Sequence, residues 1–196
     1  LNRVAHAFLF SGTRGIGKTT IARILAKTLN CENLDLKNPE PCGKCKNCIS
    51  IDNESNIDVV EIDAASRTGV ADVREIIENI NYKPVNAKKK IFIIDEVHML
   101  SKAAFNALLK TLEEPPSKSL FLIVFHQSGG LLDTIRSRCM KIAFQPLKSN
   151  HIQHLMRQAI EDGSNNADAS QSLAAISHLS RGGIGRALHI YDLSLI

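Results

Sequence analysis

The 196-residue sequence contains no tryptophan, and only 5% of its residues are aromatic. Proteins that bind single-stranded nucleic acid by stacking bases on aromatic rings depend on such residues, so we do not expect this mode of binding. No apolar run approaches the roughly 20 residues that a membrane-spanning helix needs, and no signal-peptide pattern precedes the first apolar segment. We therefore expect a cytoplasmic protein without a membrane partner.

The overall composition favours a folded domain over a disordered chain. Hydrophobic residues make up 44% of the sequence and charged residues 22%, which suffices for one sizeable core with a small appendage. The formal net charge of +4 allows contact with a polyanion without requiring it.

Residues 12–19 read Gly-Thr-Arg-Gly-Ile-Gly-Lys-Thr, which fits the phosphate-loop pattern G-x-x-x-x-G-K-[ST]. An apolar run at 7–10 predicts a strand before the loop, and the periodic segment 19–29 predicts a helix after it. The glycines allow a tight turn that aims backbone N–H groups at phosphate oxygens, Lys18 would reach the β- and γ-phosphates, and Thr19 would ligate Mg²⁺. The alternative is a glycine turn that only joins a strand to a helix. The predicted nucleotide-binding residues of the loop are Gly12, Thr13, Arg14, Gly15, Ile16, Gly17, Lys18, Thr19 and Thr20.

A second apolar run, residues 91–94, ends on Asp95 and Glu96. Four consecutive apolar residues indicate a strand that is buried in a parallel sheet, so we expect both carboxylates at its carboxyl end, where open α/β sheets bind ligands. In a nucleotide site Asp95 would hold the Mg²⁺ shell, and Glu96 would orient and deprotonate the attacking water. The alternative is an N-cap pair ahead of the helix predicted over residues 101–112.

The spacing of the cysteines predicts a metal site. Cys42, Cys45 and Cys48 follow the pattern C-x-x-C-x-x-C, and Cys31 ends the helix predicted after the phosphate loop. Four thiolates from a helix end and a tight loop suit a structural, tetrahedral Zn²⁺, and folding of this insertion, at about residues 31–50, would depend on the metal. Disulfides are the alternative, which a reducing cytosol disfavours.

The remaining segments alternate between strand and helix patterns. The seven histidines show no metal-ligand spacing supported by carboxylates. The lysines at 88–90 either touch nucleic acid or form a solvated lead-in to a strand, and we favour the lead-in. The further predicted strands are residues 57–62, 120–125 and 140–144. The further predicted helices are residues 70–80, 101–114, 151–161, 169–180 and 184–196.

Two arginines precede the strand predicted at 140–144. Burial does not explain Arg136 or Arg138, and periodicity alone favours ordinary surface residues. The alternative is that they face a neighbouring subunit and touch its nucleotide, as arginine fingers supplied in trans do.

Taken together and in this order, the motifs resemble those of the AAA+ subunits of the bacterial DNA polymerase III clamp loader. The first 118 residues or so resemble the ATP-hydrolysing gamma/tau subunit. Beside the phosphate loop and the cysteines, three stretches are typical of it: Glu-Ile-Asp-Ala-Ala-Ser at 61–66, Ile-Asp-Glu-Val-His-Met-Leu at 94–100, and Phe-Asn-Ala-Leu-Leu-Lys-Thr-Leu-Glu-Glu-Pro at 105–115.

The resemblance implies an α/β fold, that of an AAA+ P-loop NTPase, with a five-stranded parallel sheet flanked by helices and followed by a small helical lid. We expect the nucleotide-binding domain over residues 1–147 and the lid over residues 148–196. A collar domain that oligomerises the subunits is expected beyond residue 196.

The implied function is ATP-dependent loading of a sliding clamp on primer-template DNA, together with other clamp-loader subunits. ATP binding would drive assembly and clamp opening, the DNA would be held through its backbone, and hydrolysis would release both. ATP, Mg²⁺ and Zn²⁺ are the implied ligands. Glu96, Lys18 and Arg138 are the implied catalytic residues, and Arg138 would act on a neighbour's ATP, so the isolated chain should be a weak ATPase. The resemblance also implies the DNA-directed DNA polymerase activity that is assigned to gamma/tau-type subunits.

The C-terminal part departs from the gamma/tau pattern. Gamma/tau usually has two threonines at the end of the fourth strand, one of which senses the γ-phosphate, and here Phe125 and His126 stand there. Gly185 stands at the place of a second sensor arginine, with Arg186 one residue later. Residues 183–188 and 129–139 resemble the delta-prime subunit, the stator of the clamp loader, which usually does not hydrolyse ATP. The alternative function is therefore a non-hydrolysing scaffold that supplies Arg138 to a neighbouring subunit.

Overall fold

A five-stranded parallel sheet forms the centre of the fold. The structure is a computed structural model, and it describes residues 5–66, 82–126, 133–161 and 169–194. The predicted α/β fold with a five-stranded sheet is confirmed. In chain order the strands are β1 (Ala7–Gly12), β2 (Val59–Asp63), β3 (Lys90–Asp95), β4 (Ser119–His126) and β5 (Met140–Ala143). Their order in the sheet is β2-β3-β4-β1-β5.

Seven α-helices and one short 3-10 helix, Val97–Met99, accompany the sheet in the described ranges. None of the helices described has the length and apolar character needed to cross a membrane. The α-helices are α1 (Lys18–Asn30), α2 (Lys46–Asp52), α3 (Lys102–Glu113), α4 (Asp133–Arg136), α5 (Ser149–Glu161), α6 (Ala169–Leu179) and α7 (Ile184–Leu193).

The apolar runs of β3 and β4 explain why these strands lie inside the sheet. β3 pairs in parallel with β2 on one side and with β4 on the other, in a register that sets Ile94 opposite Ile123. Phe92 and Phe121 are fully buried and their rings stack at 5.5 Å. Strands covered on both faces need continuous apolar sequences, which residues 91–94 and 120–125 supply.

The predicted elements agree with the structure to within about two residues at most ends. The helix predicted over residues 70–80 lies outside the described residues. Helix α2 was not predicted, because its seven residues carry no apolar period. It starts at an N-cap, Cys45, whose Sγ accepts a hydrogen bond from the backbone N–H of Cys48.

The chain divides into two compact units. The first comprises Leu1–Ser11 and Thr19–Ile142. The second comprises Gly12–Lys18 and Ala143–Ile196. Within the second unit, α5, α6 and α7 share a core of Ile152, Met156, Leu173, Ile176 and Ala187. The predicted domain boundary between residues 147 and 148 stays a prediction.

The lysines at 88–90 are not a purely solvated lead-in, so the favoured interpretation is wrong for part of the triplet. Lys90 is only 8% exposed, and its Nζ lies 5.9 Å from the centroid of the Tyr82 ring. The backbone of Lys89 exchanges two hydrogen bonds with the buried side chain of Asn30, at 2.9 and 3.0 Å. Lys88 Nζ donates to the carbonyl oxygen of Cys31.

A buried carboxylate fixes the segment that leads into β3. Asp58 is 1% exposed, and its two carboxylate oxygens accept hydrogen bonds from the backbone N–H groups of Val85, Asn86 and Ala87 at 2.7 to 3.1 Å. These backbone donors compensate the charge of the carboxylate.

We predict that Asp58→Asn lowers the free energy of unfolding by roughly 2 to 4 kcal/mol, because the new amide turns N–H donors toward the backbone N–H groups. Urea unfolding measures the loss. Asp192→Asn makes the same chemical change at an exposed position of α7 and should change stability by less than about 0.5 kcal/mol. Equal effects of the two changes would contradict the anchoring role of Asp58.

Candidate functional site

The phosphate loop follows β1 and has the sharp backbone turn that its glycines predict. Gly15 and Gly17 have φ angles of +80° and +91°, in the region that favours glycine. Lys18 is 4% exposed, and its Nζ donates hydrogen bonds to the carbonyl oxygens of Gly12 at 3.0 Å and Thr13 at 2.7 Å. The loop therefore holds its own lysine against backbone carbonyls.

The backbone of the loop also contacts the start of α7 within the second unit. The N–H of Gly185 donates to the carbonyl oxygen of Gly15 at 3.0 Å. A Cβ atom at Gly12 would lie 2.6 Å from Ile16 Cδ1 and 2.7 Å from the carbonyl oxygen of Phe144, so only glycine fits there. Close packing thus leaves the turn no room for a side chain at its first position.

Thr19 and Asp95 meet in the first unit, as the sequence predicts. The Oγ1 hydroxyl of Thr19, on the first turn of α1, donates to Asp95 Oδ2 at 2.7 Å. Asp95 is the last residue of β3, and its Oδ1 accepts a hydrogen bond from the backbone N–H of Glu96 at 2.8 Å. A hydroxyl and a carboxylate in contact are oxygen ligands of the type that Mg²⁺ prefers, so this pair fits the ion. Thr20 lies exposed beside them on α1.

Glu96 leaves the strand in a left-handed conformation, with φ of 51° and ψ of 41°. Its side chain forms no cap hydrogen bond, so the N-cap alternative is wrong for Glu96. The helix that follows, α3, is capped instead by Ser101, whose side chain accepts from the N–H of Ala104. Asp95 and Glu96 therefore do not cap α3.

His126 lies against Glu96, a contact that the sequence did not predict. The Nε2 of His126 is 2.9 Å from Glu96 Oε1, and Nδ1 of His98 is 3.4 Å from Glu96 Oε2. Ligand atoms of Asp95, Glu96 and His126 all lie within 4.8 Å of one another. The sequence pattern shows no histidine spaced as a metal ligand beside carboxylates, so it did not reveal this grouping of His126 with Asp95 and Glu96. His126 lies 30 positions after Glu96 in the sequence, and the pairing of β3 with β4 brings the two together.

Asp95, Glu96 and His126 together form what we call the acidic cluster. Phe125 does not line this cluster as a polar sensor residue would. It is 4% exposed, belongs to the apolar core between the sheet and α3, and meets the ring of His98 edge-on at 6.1 Å. His126 is thus the polar side chain at the end of β4.

Arg138 is bound to its own chain. Its guanidinium pairs with the carboxylate of Glu113 and donates to the carbonyl oxygen of Thr134 at 2.7 Å. Arg136 pairs with Asp133 at 3.4 Å. The predicted action of Arg138 on a neighbour's ATP stays a prediction.

The four predicted cysteine ligands converge. Cys31, Cys45 and Cys48 are buried, and the sulfurs of the quartet lie within 4.8 Å of one another. All are free thiols, and Sγ of Cys42 and Cys48 are 3.9 Å apart, so the disulfide alternative is wrong. A tetrahedron with Zn–S bonds near 2.3 Å has sulfurs about 3.8 Å apart, and the quartet therefore fits the ion.

Electrostatics also favour a cation among these sulfurs. Backbone hydrogen bonds from Lys44 and Cys45 lower the pKa of Cys42 to about 6. Burial raises the pKa of Cys48 to about 12. Against the opposing effect of its burial, hydrogen bonds from the backbone of Glu32 and Cys48 help to lower the pKa of Cys45 as well. The site therefore favours thiolates at Cys42 and Cys45 and opposes one at the buried Cys48, and a divalent cation would compensate that cost.

Comparison with known proteins identifies the family of the chain. A model of the family described as DNA polymerase III, delta subunit, matches residues 1–148. Over 99% of its length the chain is 44% identical to DNA polymerase III subunit tau/gamma of Haemophilus influenzae, of which it spans 28%.

Solved structures show the same fold at low identity. A DNA polymerase III gamma subunit-related protein of Thermotoga maritima matches with a TM-score of 0.60 and 21% identity, over 96% of this chain and 53% of that one. The RuvB Holliday junction branch migration motor of the same organism matches with a TM-score of 0.60 and 19% identity, again over 96% of this chain and 53% of that one. The fold is that of AAA+ P-loop proteins. The family model, which covers most of the chain, shows that the chain belongs to the family described as DNA polymerase III, delta subunit.

Proposed function

We propose that the chain binds ATP with Mg²⁺ and hydrolyses it. The observation that carries this proposal is the hydrogen bond between Thr19 and Asp95, because it joins the last residue of the phosphate-loop motif to the acidic end of β3. The backbone of residues 12–17, with its glycine turn, would bind the phosphates, and Lys18 would exchange its carbonyl partners for phosphate oxygens.

In the same proposal Thr19 and Asp95 would hold Mg²⁺, and the bound ion would neutralise charge on the phosphate oxygens. Glu96 would take the proton of the attacking water. Thr13, Arg14, Ile16 and Thr20 would line the nucleotide through their place in the loop and on the first turn of α1. The side chains of Thr13 and Arg14 are exposed and therefore accessible to a ligand.

The proposed role of this ATPase is that of a clamp-loader subunit. Together with other subunits it would open the sliding clamp, hold primer-template DNA through its backbone, and release both after hydrolysis. Similarity to a tau/gamma subunit over nearly the whole chain supports this role. The proposed compartment is the cytoplasm, and the proposed domains are residues 1–147 for nucleotide binding and 148–196 for the lid.

A scaffold function is the second candidate, in which the chain supplies Arg138 to a neighbour without hydrolysing ATP itself. Gly185 favours it, because no arginine stands there to reach the phosphates. Arg138 can leave its own chain at low cost: it pairs with a half-exposed Glu113, and exposed ion pairs stabilise by no more than about 1 kcal/mol.

We further propose that Cys31, Cys42, Cys45 and Cys48 bind one structural Zn²⁺. Four sulfur ligands leave no open coordination position for catalysis. Their mutual distances and the burial of three of them support this assignment.

Two substitutions test the ATPase. We predict that Lys18→Ala abolishes ATP binding by the full-length protein, because it removes the proposed phosphate ligand. Glu96→Gln should keep the affinity and lower turnover in the assembled complex, with clamp and primed DNA, at least a hundredfold. Isothermal titration and phosphate release measure the two effects.

Lys110→Ala and Glu114→Gln, both at exposed positions, are the matched controls and should behave like the unchanged protein. Unaltered binding in Lys18→Ala would exclude the nucleotide site. If turnover in the complex survives Glu96→Gln unchanged, this chain does not supply the catalytic base, and the scaffold function remains.

The proposed action of Arg138 on the ATP of a neighbouring subunit is tested by a substitution in this chain. We predict that Arg138→Ala, carried by this subunit alone, lowers ATP hydrolysis by the assembled complex by about tenfold or more, since arginine fingers act on charge that develops in the transition state. ATP binding by the chain itself should stay unchanged. Arg136→Ala, two residues away and exposed, should change hydrolysis by less than about twofold, and equal effects of both changes would contradict the specific role of Arg138.

The metal assignment predicts about one zinc ion per purified chain, measured by mass spectrometry of the metal content. Cys48→Ser should remove the ion, because it deletes a buried ligand, and should lower the thermal unfolding temperature. Cys139→Ser changes the cysteine outside the quartet and should leave the zinc content intact. Equal zinc contents in the two variants would show that the quartet is not the site.

A further inference from the structure

We propose that His126 is a positioning residue for Glu96: it holds one carboxylate oxygen so that the other can take the proton of the attacking water. This inference rests on the proposed ATPase function and assigns a role to a residue that replaces the usual threonine. The observation behind it is the distance of 2.9 Å between His126 Nε2 and Glu96 Oε1.

The sheet fixes the position of this imidazole. β3 and β4 pair in parallel up to Ile94 and Ile123, and β4 continues for three residues beyond that pair. His126 is the last residue of a strand whose preceding residues are all buried. The strand therefore fixes the position of the imidazole beside the side chain of Glu96. A donor on a central strand is held more firmly than one on a loop.

The conformation of Glu96 is set from both ends. Its backbone is left-handed, and its N–H donates to Asp95 Oδ1 at 2.8 Å. Its side chain is 18% exposed and ends on the imidazole of His126. A non-glycine residue in this backbone region costs about 1 kcal/mol or more, and it persists where its surroundings determine it.

The two carboxylate oxygens of Glu96 differ in their contacts. Oε1 faces His126 Nε2 at 2.9 Å, and the proposed hydrogen bond requires the proton on that nitrogen. Oε2 is buried and has no hydrogen-bond partner among the described residues, although His98 Nδ1 lies 3.4 Å away. A buried acceptor without a donor is costly, and a water molecule would satisfy it. Oε2 is therefore the oxygen suited to receive a proton.

In the step that this geometry serves, the water oxygen forms a bond to the γ-phosphorus and its O–H bond breaks, with the proton passing to Glu96 Oε2. The bond from the γ-phosphorus to the bridging oxygen breaks, and its electron pair stays on ADP. Glu96 then returns the proton to solvent. His126 donates its hydrogen bond throughout and exchanges no proton.

The test compares variants of the full-length protein in its assembled complex with clamp and primed DNA. His126→Phe keeps a ring of similar size and removes the donor. We expect turnover to fall about tenfold, which corresponds to one hydrogen bond, while the ATP dissociation constant changes less than about twofold. His126→Gln restores an N–H donor and should recover turnover to within about threefold of the unchanged protein.

A double variant separates positioning from structural support. If His126 acts through Glu96, adding His126→Phe to Glu96→Gln should alter the residual rate by less than about twofold. An equal loss in both backgrounds would overturn the proposal, as would a turnover in His126→Phe that matches or exceeds that of the unchanged protein. A loss of ATP affinity as large as the loss of turnover would also overturn it, since His126 would then act on the phosphate.

The outcomes also distinguish this inference from the proposed function. A complex whose turnover does not exceed that of its Glu96→Gln variant refutes the ATPase function, and with it any role for His126 in hydrolysis. A complex that hydrolyses ATP through Glu96 but ignores His126→Phe refutes the positioning role alone. Urea unfolding of each variant identifies a loss of turnover that arises from misfolding, and in that case the result for His126→Gln decides.

Discussion

The parallel pairing of β3 with β4 is the constraint on which the acidic cluster depends. Parallel strands end at the same edge of a sheet, so Asp95 and His126, each the last residue of its strand, lie at one edge although 31 positions separate them. A shift of the register by one residue would turn every side chain to the opposite face. The apolar sequence that buries both strands therefore also sets which polar groups meet at their ends.

The cysteine quartet is linked to the same edge through α1. Its first turn carries Thr19, which donates a hydrogen bond to Asp95, and Cys31 follows its last residue. Along its length Arg23 binds Glu61 with two hydrogen bonds, at 2.7 and 2.8 Å, and the bond to Glu61 raises the pKa of Arg23, which therefore stays charged. Exposed ion pairs contribute little singly, but the buried Asn30 adds two hydrogen bonds to the segment before β3. The hydrogen bonds that fix α1 therefore also help to fix the position of Cys31 in the quartet.

Local sequence predicted the features that local physics determines. The phosphate loop, the apolar strand before Asp95 and the cysteine spacing each lie within a few residues, and glycine content, hydrophobic runs and ligand spacing suffice to predict them. The helix bounds followed from the same patterns, with small errors at the ends.

Long-range contacts account for what was missed. Asp58 is an ordinary acid in the sequence, and its role arises from backbone N–H groups 27 to 29 residues away. The contact of His126 with Glu96 needs the strand register, which a single sequence does not provide. The left-handed backbone of Glu96 carries no local signal either, because glutamate seldom adopts it. These three features depend on tertiary structure.

The contacts of Glu96 bear on the choice between a motor and a scaffold. The replaced sensor positions suggested a chain that has lost its catalytic parts. However, a scaffold gains nothing from a glutamate that holds a left-handed backbone and faces an imidazole. This backbone costs folding free energy, which a glycine at position 96 would relieve. The glutamate therefore supports the proposed hydrolysis, with His126 in its proposed positioning role.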